Sequence, residues 1–217
     1  MIQHLIDEAL AKEQEERKDR VRSGKWSPSS LGRCYRAQYW NRKNEPVTNP
    51  PDARTLRVFR CGQLFHDFVQ QYLPEHQVEV EIDTPNLKGF ADIVTEDTVY
   101  DIKSQHSGAF WYMQKADYKV EEKKLPNILQ VMTYAVYLKK PFGCLVFISK
   151  DDMSIAEYRF ATADWEDKVN NELDILDQLW INDTLPPAEP RCYKDARTGK
   201  FKECQYCNYK DKCKEVG

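Results

Sequence analysis

The segment 89–105, GFADIVTEDTVYDIKSQ, decides the reading of this chain. It divides into two short strands, 89–95 and 98–104, around a tight turn at Glu96-Asp97. A two-residue turn that pairs Thr95 with Thr98 sets an antiparallel register in which Asp92 lies opposite Asp101. Facing residues share a face, and side chains alternate along a strand, so Lys103 joins Asp101 while Ile102 points away. Like charges opposed across a sheet are destabilising unless something bridges them. A divalent cation with oxygen ligands is such a bridge, and Mg²⁺ is commonly held by one or two carboxylates plus substrate phosphate. Lys103 would then stand beside the metal and any water it activates, an arrangement suited to cutting a phosphodiester. A solvated hairpin with a charged face is the plainer alternative. Phe90, Ile93, Val94, Val99 and Ile102 weigh against it, because they predict buried strands in which unpaired carboxylates are costly.

Upstream, residues 77–83 alternate Val78, Val80 and Ile82 with Glu79, Glu81 and Asp83. They predict a half-buried strand with Glu79 and Glu81 on its solvated face, completing a three-stranded meander. A helix from Asp52 to about Leu73 carries Gly62 and His66, with Leu56, Phe59, Leu64, Phe65, Phe68 and Tyr72 as its expected buried side. Ser27-Pro28-Ser29-Ser30 predicts a helix entry, and that helix runs to about Arg42 with Cys34 between Arg33 and Arg36. Ile2, Leu5, Ile6 and Leu10 mark a surface helix whose start packs on the body. The basic cluster Arg17, Lys18, Arg20, Arg22 and Lys25 follows it.

Downstream, residues 106–124 combine Phe110, Trp111, Tyr112 and Tyr118 with four lysines. Two readings stay open: a mobile segment that covers single-stranded DNA by stacking and charge, or a short helix and loop packed on the core. Residues 125–138 form an apolar helix with Gln130 and Tyr134 four apart, hence on one face. The run 144–149 reads as a buried strand, 154–160 as another, and 162–182 as a helix that leads into a stiff proline-rich linker.

The bulk properties set the frame. The chain has 217 residues, 41% hydrophobic and 31% charged, which fits one globular domain. A net charge of −3 gives no overall attraction to nucleic acid, so such a partner would need a local basic surface. No run is apolar enough to span a membrane, and the charged N-terminus does not resemble a signal peptide, which makes the cytoplasm the expected location. Seven cysteines, an odd number, suit metal ligation in a reducing compartment better than disulfides. Cys204, Cys207 and Cys213 are spaced C-x-x-C-x(5)-C, a pattern that lets thiolates reach one ion or cluster. The fourth ligand would be Cys34 or Cys192. Spacing favours Cys192, giving a zinc knob. Lys194, Arg197, Lys200, Lys202, Lys210, Lys212 and Lys214, with Arg33, Arg36 and Arg42, could supply the basic surface.

Asp92, an eight-residue gap and Asp101-Ile102-Lys103 resemble the motif of the PD-(D/E)XK nucleases, with Ala91 where proline usually precedes the first acid. Within that superfamily the chain is similar to the RecB-like branch, including CRISPR-adaptation-associated and phage exonucleases. The spacing Gly62 to His66 matches that branch's helical G-x-x-x-H element, and Gln130 to Tyr134 matches its Q-x-x-x-Y helix. The resemblance implies an α/β fold: a mixed central sheet flanked by helices, with an iron–sulfur lobe joining the two termini. One nuclease domain would span 1–217, with 50–182 as the catalytic core and 27–45 plus 190–217 as the lobe. It implies that His66, Asp92, Asp101 and the Ile102 carbonyl hold Mg²⁺ or Mn²⁺, and that Gln130 and Tyr134 orient Lys103. It also selects Cys34, with Cys204, Cys207 and Cys213, as ligands of a [4Fe–4S] cluster. The function implied is a metal-dependent DNA nuclease, an exonuclease on single strands or DNA ends, with Arg33, Arg36, Trp111 and Tyr112 contacting DNA. A helicase, recombination or CRISPR-adaptation protein would be its partner. The alternatives are a non-catalytic DNA- or protein-binding module on the same fold, and a zinc-stabilised endonuclease.

Overall fold

The computed structural model describes residues 1–18, 22–73, 75–191 and 201–216. The meander forms as β1 (Gln77–Asp83), β2 (Lys88–Val94) and β3 (Thr98–Gln105). The turn has two residues, as the register required: Thr95 N donates to Thr98 O at 2.9 Å, and Val94 pairs with Val99. With β4 (Phe142–Ser149) and β5 (Ile155–Ala161) the strands make a five-stranded sheet in the order β1-β2-β3-β4-β5. All neighbours are antiparallel except β3 and β4, which run parallel from Thr98↔Phe142 to Gln105↔Ser149. A parallel pair needs a long crossover, and residues 107–137 supply it.

The β4 sequence FGCLVFIS has no polar face because both of its faces are covered. Leu145 and Phe147 point into the main core, while Cys144, Val146 and Ile148 point into a second core on the other side. Two helices cover the first face. Ile128, Leu129, Met132 and Ala135 come from one (Leu125–Tyr137), and Val169, Leu173 and Leu176 from the other (Glu166–Ile181). Along the chain the helices are α1 (Ile2–Lys18), α2 (Tyr35–Arg42), α3 (Ala53–Tyr72), α4 (Ser107–Met113), α5 (Val120–Lys123), α6 (Leu125–Tyr137), α7 (Glu166–Ile181), α8 (Lys202–Gln205) and α9 (Lys210–Val216).

Helix α3 starts where Asp52 caps it, its carboxylate accepting Thr55 N–H at 2.8 Å. Its buried side agrees with the expected one at Leu56 and Phe65 and differs elsewhere. Phe65 is buried, with Cys61, Val69 and Leu73 packed beside it at fourfold spacing, whereas Phe59, Leu64, Phe68 and Tyr72 remain exposed. The helix carries two apolar stripes about 100° apart, and the flat sheet can cover only one. On α1, Ile2, Leu5 and Ile6 are likewise exposed, although the helix lies along α3 and Asp7 pairs with Arg57.

The helix expected from Ser27 onwards is broken. Pro28–Ser30 forms a single 3₁₀ turn, and Gly32 then takes a left-handed φ of 73° before α2 begins. A side chain at Gly32 would meet Leu129 and Pro126, so the glycine lets this segment press on α6. Cys34 therefore stands at the helix entry rather than within the helix. The C-terminal segment docks on α2 through a third core of Tyr39, Trp40 and Tyr209. Thr48 and Asn49 both donate backbone N–H groups to Asn208 O at 3.0 Å. Arg42 is buried, with its guanidinium 4.4 Å from the rings of both Trp26 and Trp180 and 3.1 Å from Asp177. Among the described residues no helix is long and apolar enough to cross a membrane.

The N-terminal segment also bonds to the start of β2, since Trp26 O accepts Lys88 N–H at 2.9 Å. This seats Pro28 and the Tyr134 hydroxyl against Gly89, where a Cβ would lie 2.8 Å from Pro28 Cδ and 2.7 Å from Tyr134 Oη. Gly89→Ala should therefore destabilise the protein by about 1–3 kcal/mol. Adding Tyr134→Phe, which removes the hydroxyl, should restore part of that loss. Urea-unfolding midpoints of the two single variants and the double variant measure the coupling; additive effects would contradict the close approach.

Candidate active site

The site lies where β2 and β3 part. Their ladder closes at Ile93↔Tyr100 and Val94↔Val99, and the next facing pair, Asp92 and Asp101, is not joined by the backbone. Instead the Asp92 carboxylate crosses the gap, and its Oδ2 accepts the Ile102 N–H at 2.8 Å. A strand residue's N–H and C=O point to the same edge, so the Ile102 carbonyl faces this gap too. On the α3 side, His66 Nδ1 is 3.6 Å from Asp92 Oδ2, and Gln70 Nε2 donates to Asp92 O at 3.3 Å. Residues 62, 66 and 70 lie one turn apart on α3, and Gly62 keeps the helix close to Ser104 of β3.

Asp101 is buried. Lys103 Nζ donates to its Oδ1 at 2.8 Å and lies equally 2.8 Å from Oδ2, so the ammonium spans both oxygens of the buried carboxylate. Burial pushes the Asp101 carboxyl up to about 7; the Lys103 charge opposes that rise and the Asp92 charge adds to it. From α6, Tyr134 reaches the same gap. Its hydroxyl is held well above the usual range, first by burial and then by the Asp101 and Asp92 charges, with a backbone contact from Phe90 opposing them. Gln130 shares that helix face and is half-buried, but it makes no hydrogen bond to Lys103 among the described residues, whereas Asp101 does. Phe90, expected to be buried, is 46% exposed at the rim.

Sequence reasoning placed Glu79 on the solvated face, away from the site. It is exposed, yet it stands at the site's mouth. The β1–β2 pairs Val78↔Ile93 and Val80↔Ala91 flank it without an inserted residue, so its position faces Asp92, and that pair alone is missing from the ladder. Glu79 takes a left-handed φ of 49°, a conformation that costs a non-glycine residue about 1–2 kcal/mol. Partial burial and the Asp92 charge raise its carboxyl, and His66 lowers it. The facing of β2 changes across this point: Ala91 lies in the main core and Ile93 in the second, although residues two apart on a regular strand share a face. The alternating pattern of 77–83 carried no sign of this break.

At the other end of the molecule, Cys34, Cys204, Cys207 and Cys213 line one cavity of about 250 Å³, walled also by Arg36 and Trp40. Burial, more than any other cause, pushes the Cys34, Cys204 and Cys207 thiols up, and each also feels neighbouring cysteines. Two sulfurs already accept hydrogen bonds: Cys213 Sγ from Arg36 Nη1 at 3.8 Å, and Cys207 Sγ from Tyr209 N at 3.4 Å. Glu203 accepts the backbone N–H groups of both Cys34 and Arg191. Cys192, Lys194, Arg197 and Lys200 lie outside the described residues, as does Arg20. Among the described residues, no three His, Cys, Asp or Glu side chains are gathered tightly enough to cage an ion.

The expected DNA contacts divide. Arg33 is exposed in a groove of about 730 Å³ shared with Lys123, Asn127 and Tyr206, and Trp111 and Tyr112 project from α4, whose Phe110 and Met113 anchor it in the core. Arg36 is buried, donating to Pro186 O at 2.7 Å as well as to Cys213, so its guanidinium faces the interior rather than a DNA-binding surface. Arg42, buried between tryptophans, likewise adds nothing to a basic surface.

No protein-family model matches the chain, and no curated protein does. Solved structures do. The crystal structure of SSO0001 superposes with a TM-score of 0.60 at 20% identity, covering 98% of this chain and 96% of that one. The alkaline exonuclease LHK-Exo from Laribacter hongkongensis gives 0.52 at 14% identity, covering 75% of this chain and 90% of that one. Its complex with dAMP gives 0.50 at the same identity and coverage. At these identities the fold is what is shared. The chain thus shares its fold, a mixed five-stranded sheet flanked by helices, with SSO0001 and with an alkaline exonuclease.

Proposed function

We propose that this chain is a divalent-metal-dependent deoxyribonuclease, acting as an exonuclease on single strands or DNA ends. The observation that carries the reading is the parted hairpin: Asp92, Asp101 and the Ile102 carbonyl converge on one gap beside Lys103 and Tyr134. The shared fold with an alkaline exonuclease supports it, and LHK-Exo has been crystallised with dAMP.

His66, Asp92, Asp101 and the Ile102 carbonyl would hold Mg²⁺ or Mn²⁺. By donor chemistry this set suits a hard cation, since all but the imidazole offer oxygen and the buried Asp101 carboxylate has Lys103 beside it. When bound, the cation supplies an activated water and neutralises charge on the phosphate. Lys103, held by Asp101, orients the attacking water and balances the charge that grows on the phosphate. Tyr134 keeps its proton at neutral pH because burial and two carboxylates raise it, so it acts as a hydrogen-bond donor. Arg33 and Lys123 in the groove offer charge to the DNA backbone, and Trp111 and Tyr112 offer stacking surfaces to unpaired bases.

The four-cysteine cavity fits a [4Fe–4S] cluster, since it presents four thiols with donors already aimed at two sulfurs. Bound there, the cluster would tie the segment before α2 to the C-terminal helices, a structural role remote from the parted strands.

Asp101→Ala and Lys103→Ala should each lower Mn²⁺-dependent digestion of end-labelled single strands by more than about 10²-fold, with circular dichroism unchanged. Undiminished digestion by both variants would refute the catalytic roles of Asp101 and Lys103. Protein purified without oxygen should be brown with broad visible absorption, and Cys34→Ser should bleach it while Cys192→Ser should not; a colourless, zinc-containing protein would refute the cluster. The raised Asp101 carboxyl also sets a pH dependence for the metal-free protein. A carboxyl pushed above its unfolded value keeps its proton when folded, so stability falls as pH rises from the unfolded value through about 7. Asp101→Asn should therefore raise Tm more at about pH 8 than at about pH 4. Equal shifts at both would contradict the burial penalty.

A further inference from the structure

The cysteine cavity has a charged side chain built into its wall. Arg36 lines it and is 7% exposed, so its guanidinium is almost wholly withdrawn from water. Nε donates to Pro186 O at 2.7 Å, Nη1 donates to Cys213 Sγ at 3.8 Å, and Cζ lies 5.7 Å from the centre of the Trp40 ring. The proline linker and α2 thus hold the guanidinium from two sides and aim Nη1 at sulfur. A thiol is a weak acceptor, whereas a metal-bound thiolate is an anion, and a hydrogen bond to it from arginine is charge-assisted. The cavity's other donor to sulfur, Tyr209 N–H on Cys207, is neutral. Lys210 and Lys214 also line the cavity, but both are exposed, and Lys214 is 2.8 Å from Asp211. Water and salt screen such exposed charges, and they screen a buried one far less.

We propose that Arg36 is a positioning residue for the cluster and sets its reduction potential through the hydrogen bond to Cys213 Sγ. The inference rests on the [4Fe–4S] reading of the cavity. Potentials of such clusters follow net charge, hydrogen bonds to the sulfurs and solvent exposure. Reduction adds one electron, and so one further negative charge, to the cluster. A guanidinium at the sulfur favours that state over the oxidised one and raises the potential. No proton moves with the electron at this residue, because arginine stays protonated throughout. Geometry matters as well as charge: Pro186 and Trp40 hold a planar fork in place, which the single flexible ammonium of lysine cannot copy.

A redox titration followed by electron paramagnetic resonance reads this potential without reference to DNA cleavage. Full-length protein is purified without oxygen and reduced by dithionite through mediators. At the wild-type midpoint, Arg36→Gln should lower the ratio of reduced to oxidised cluster by at least about tenfold, a fall of about 59 mV for a one-electron couple. Arg36→Lys, which keeps a charge but loses the fork, should lie between wild type and Arg36→Gln. Lys210→Gln, which removes an exposed charge from the same cavity, should change the ratio by less than about twofold. Arg36→Gln protein that keeps its cluster at the wild-type potential overturns the role of Arg36 and leaves the cluster standing. A shift in Lys210→Gln as large as that in Arg36→Gln overturns it too. If Arg36→Gln loses its iron or its fold, Arg36→Lys decides: a potential below wild type supports the role, and the wild-type potential overturns it. Colourless wild-type protein overturns the cluster itself, and this inference with it.

Discussion

A backbone N–H left without a strand partner must find another acceptor, and at Ile102 that acceptor is the carboxylate of Asp92. The hydrogen bond holds β2 and β3 apart at the place where their register would have closed them, and it fixes one acid at the mouth of the resulting gap. Other features follow from that parting. The Ile102 carbonyl is turned towards the gap instead of into a ladder. His66 and Gln70 approach Asp92 from the α3 side, and Tyr134 approaches from the α6 side. A sheet closed at this point would bury a repulsive carboxylate pair and leave α3 and α6 without a common point of contact.

The gap can hold its charge because the surrounding scaffold is stiff. β4 is buried on both faces, and its unbroken parallel register with β3 fixes where Asp101 and Lys103 lie. The close approach of Pro28 and Tyr134 over Gly89 fixes the opposite wall. The N-terminal segment that brings Pro28 there is itself held by the C-terminal one, through Tyr39, Trp40 and Tyr209 and through the stacking of Arg42 between two tryptophans. The cysteine cavity lies at this junction of the two ends. The segment between Trp26 and Cys34 thus runs from the wall of the site to the cysteine cavity.

Much of this was readable in the residues. The strands 77–83 and 144–149, the two-residue turn at Glu96-Asp97, the helix start at Asp52 and the helix through Gln130 and Tyr134 all follow from local pattern and turn chemistry. The register at Thr95 and Thr98 was enough to bring Asp92 and Asp101 to the same place. Reading failed where two equally apolar faces competed, as on α3, whose Phe59, Leu64, Phe68 and Tyr72 stay exposed. It also failed where a charged side chain was taken to be on the surface: Arg36 and Arg42 are interior, their burial offset by sulfur, carbonyl, carboxylate and aromatic partners contributed by distant segments.

What the sequence by itself determined was periodicity and spacing: strand alternation, helix stripes, the Asp-gap-Asp-x-Lys pattern and the cysteine triplet. These are properties of neighbours along the chain, and local sterics and hydrophobicity enforce them. What only the tertiary structure decided was which residues meet from afar. It set Cys34 in one cavity with Cys204, Cys207 and Cys213, parted β2 from β3 at Asp92, and held Glu79 in a left-handed backbone opposite Asp92. No local propensity favours a strained glutamate or a broken ladder. Such features exist because packing elsewhere on the sheet and its helices is strong enough to impose them.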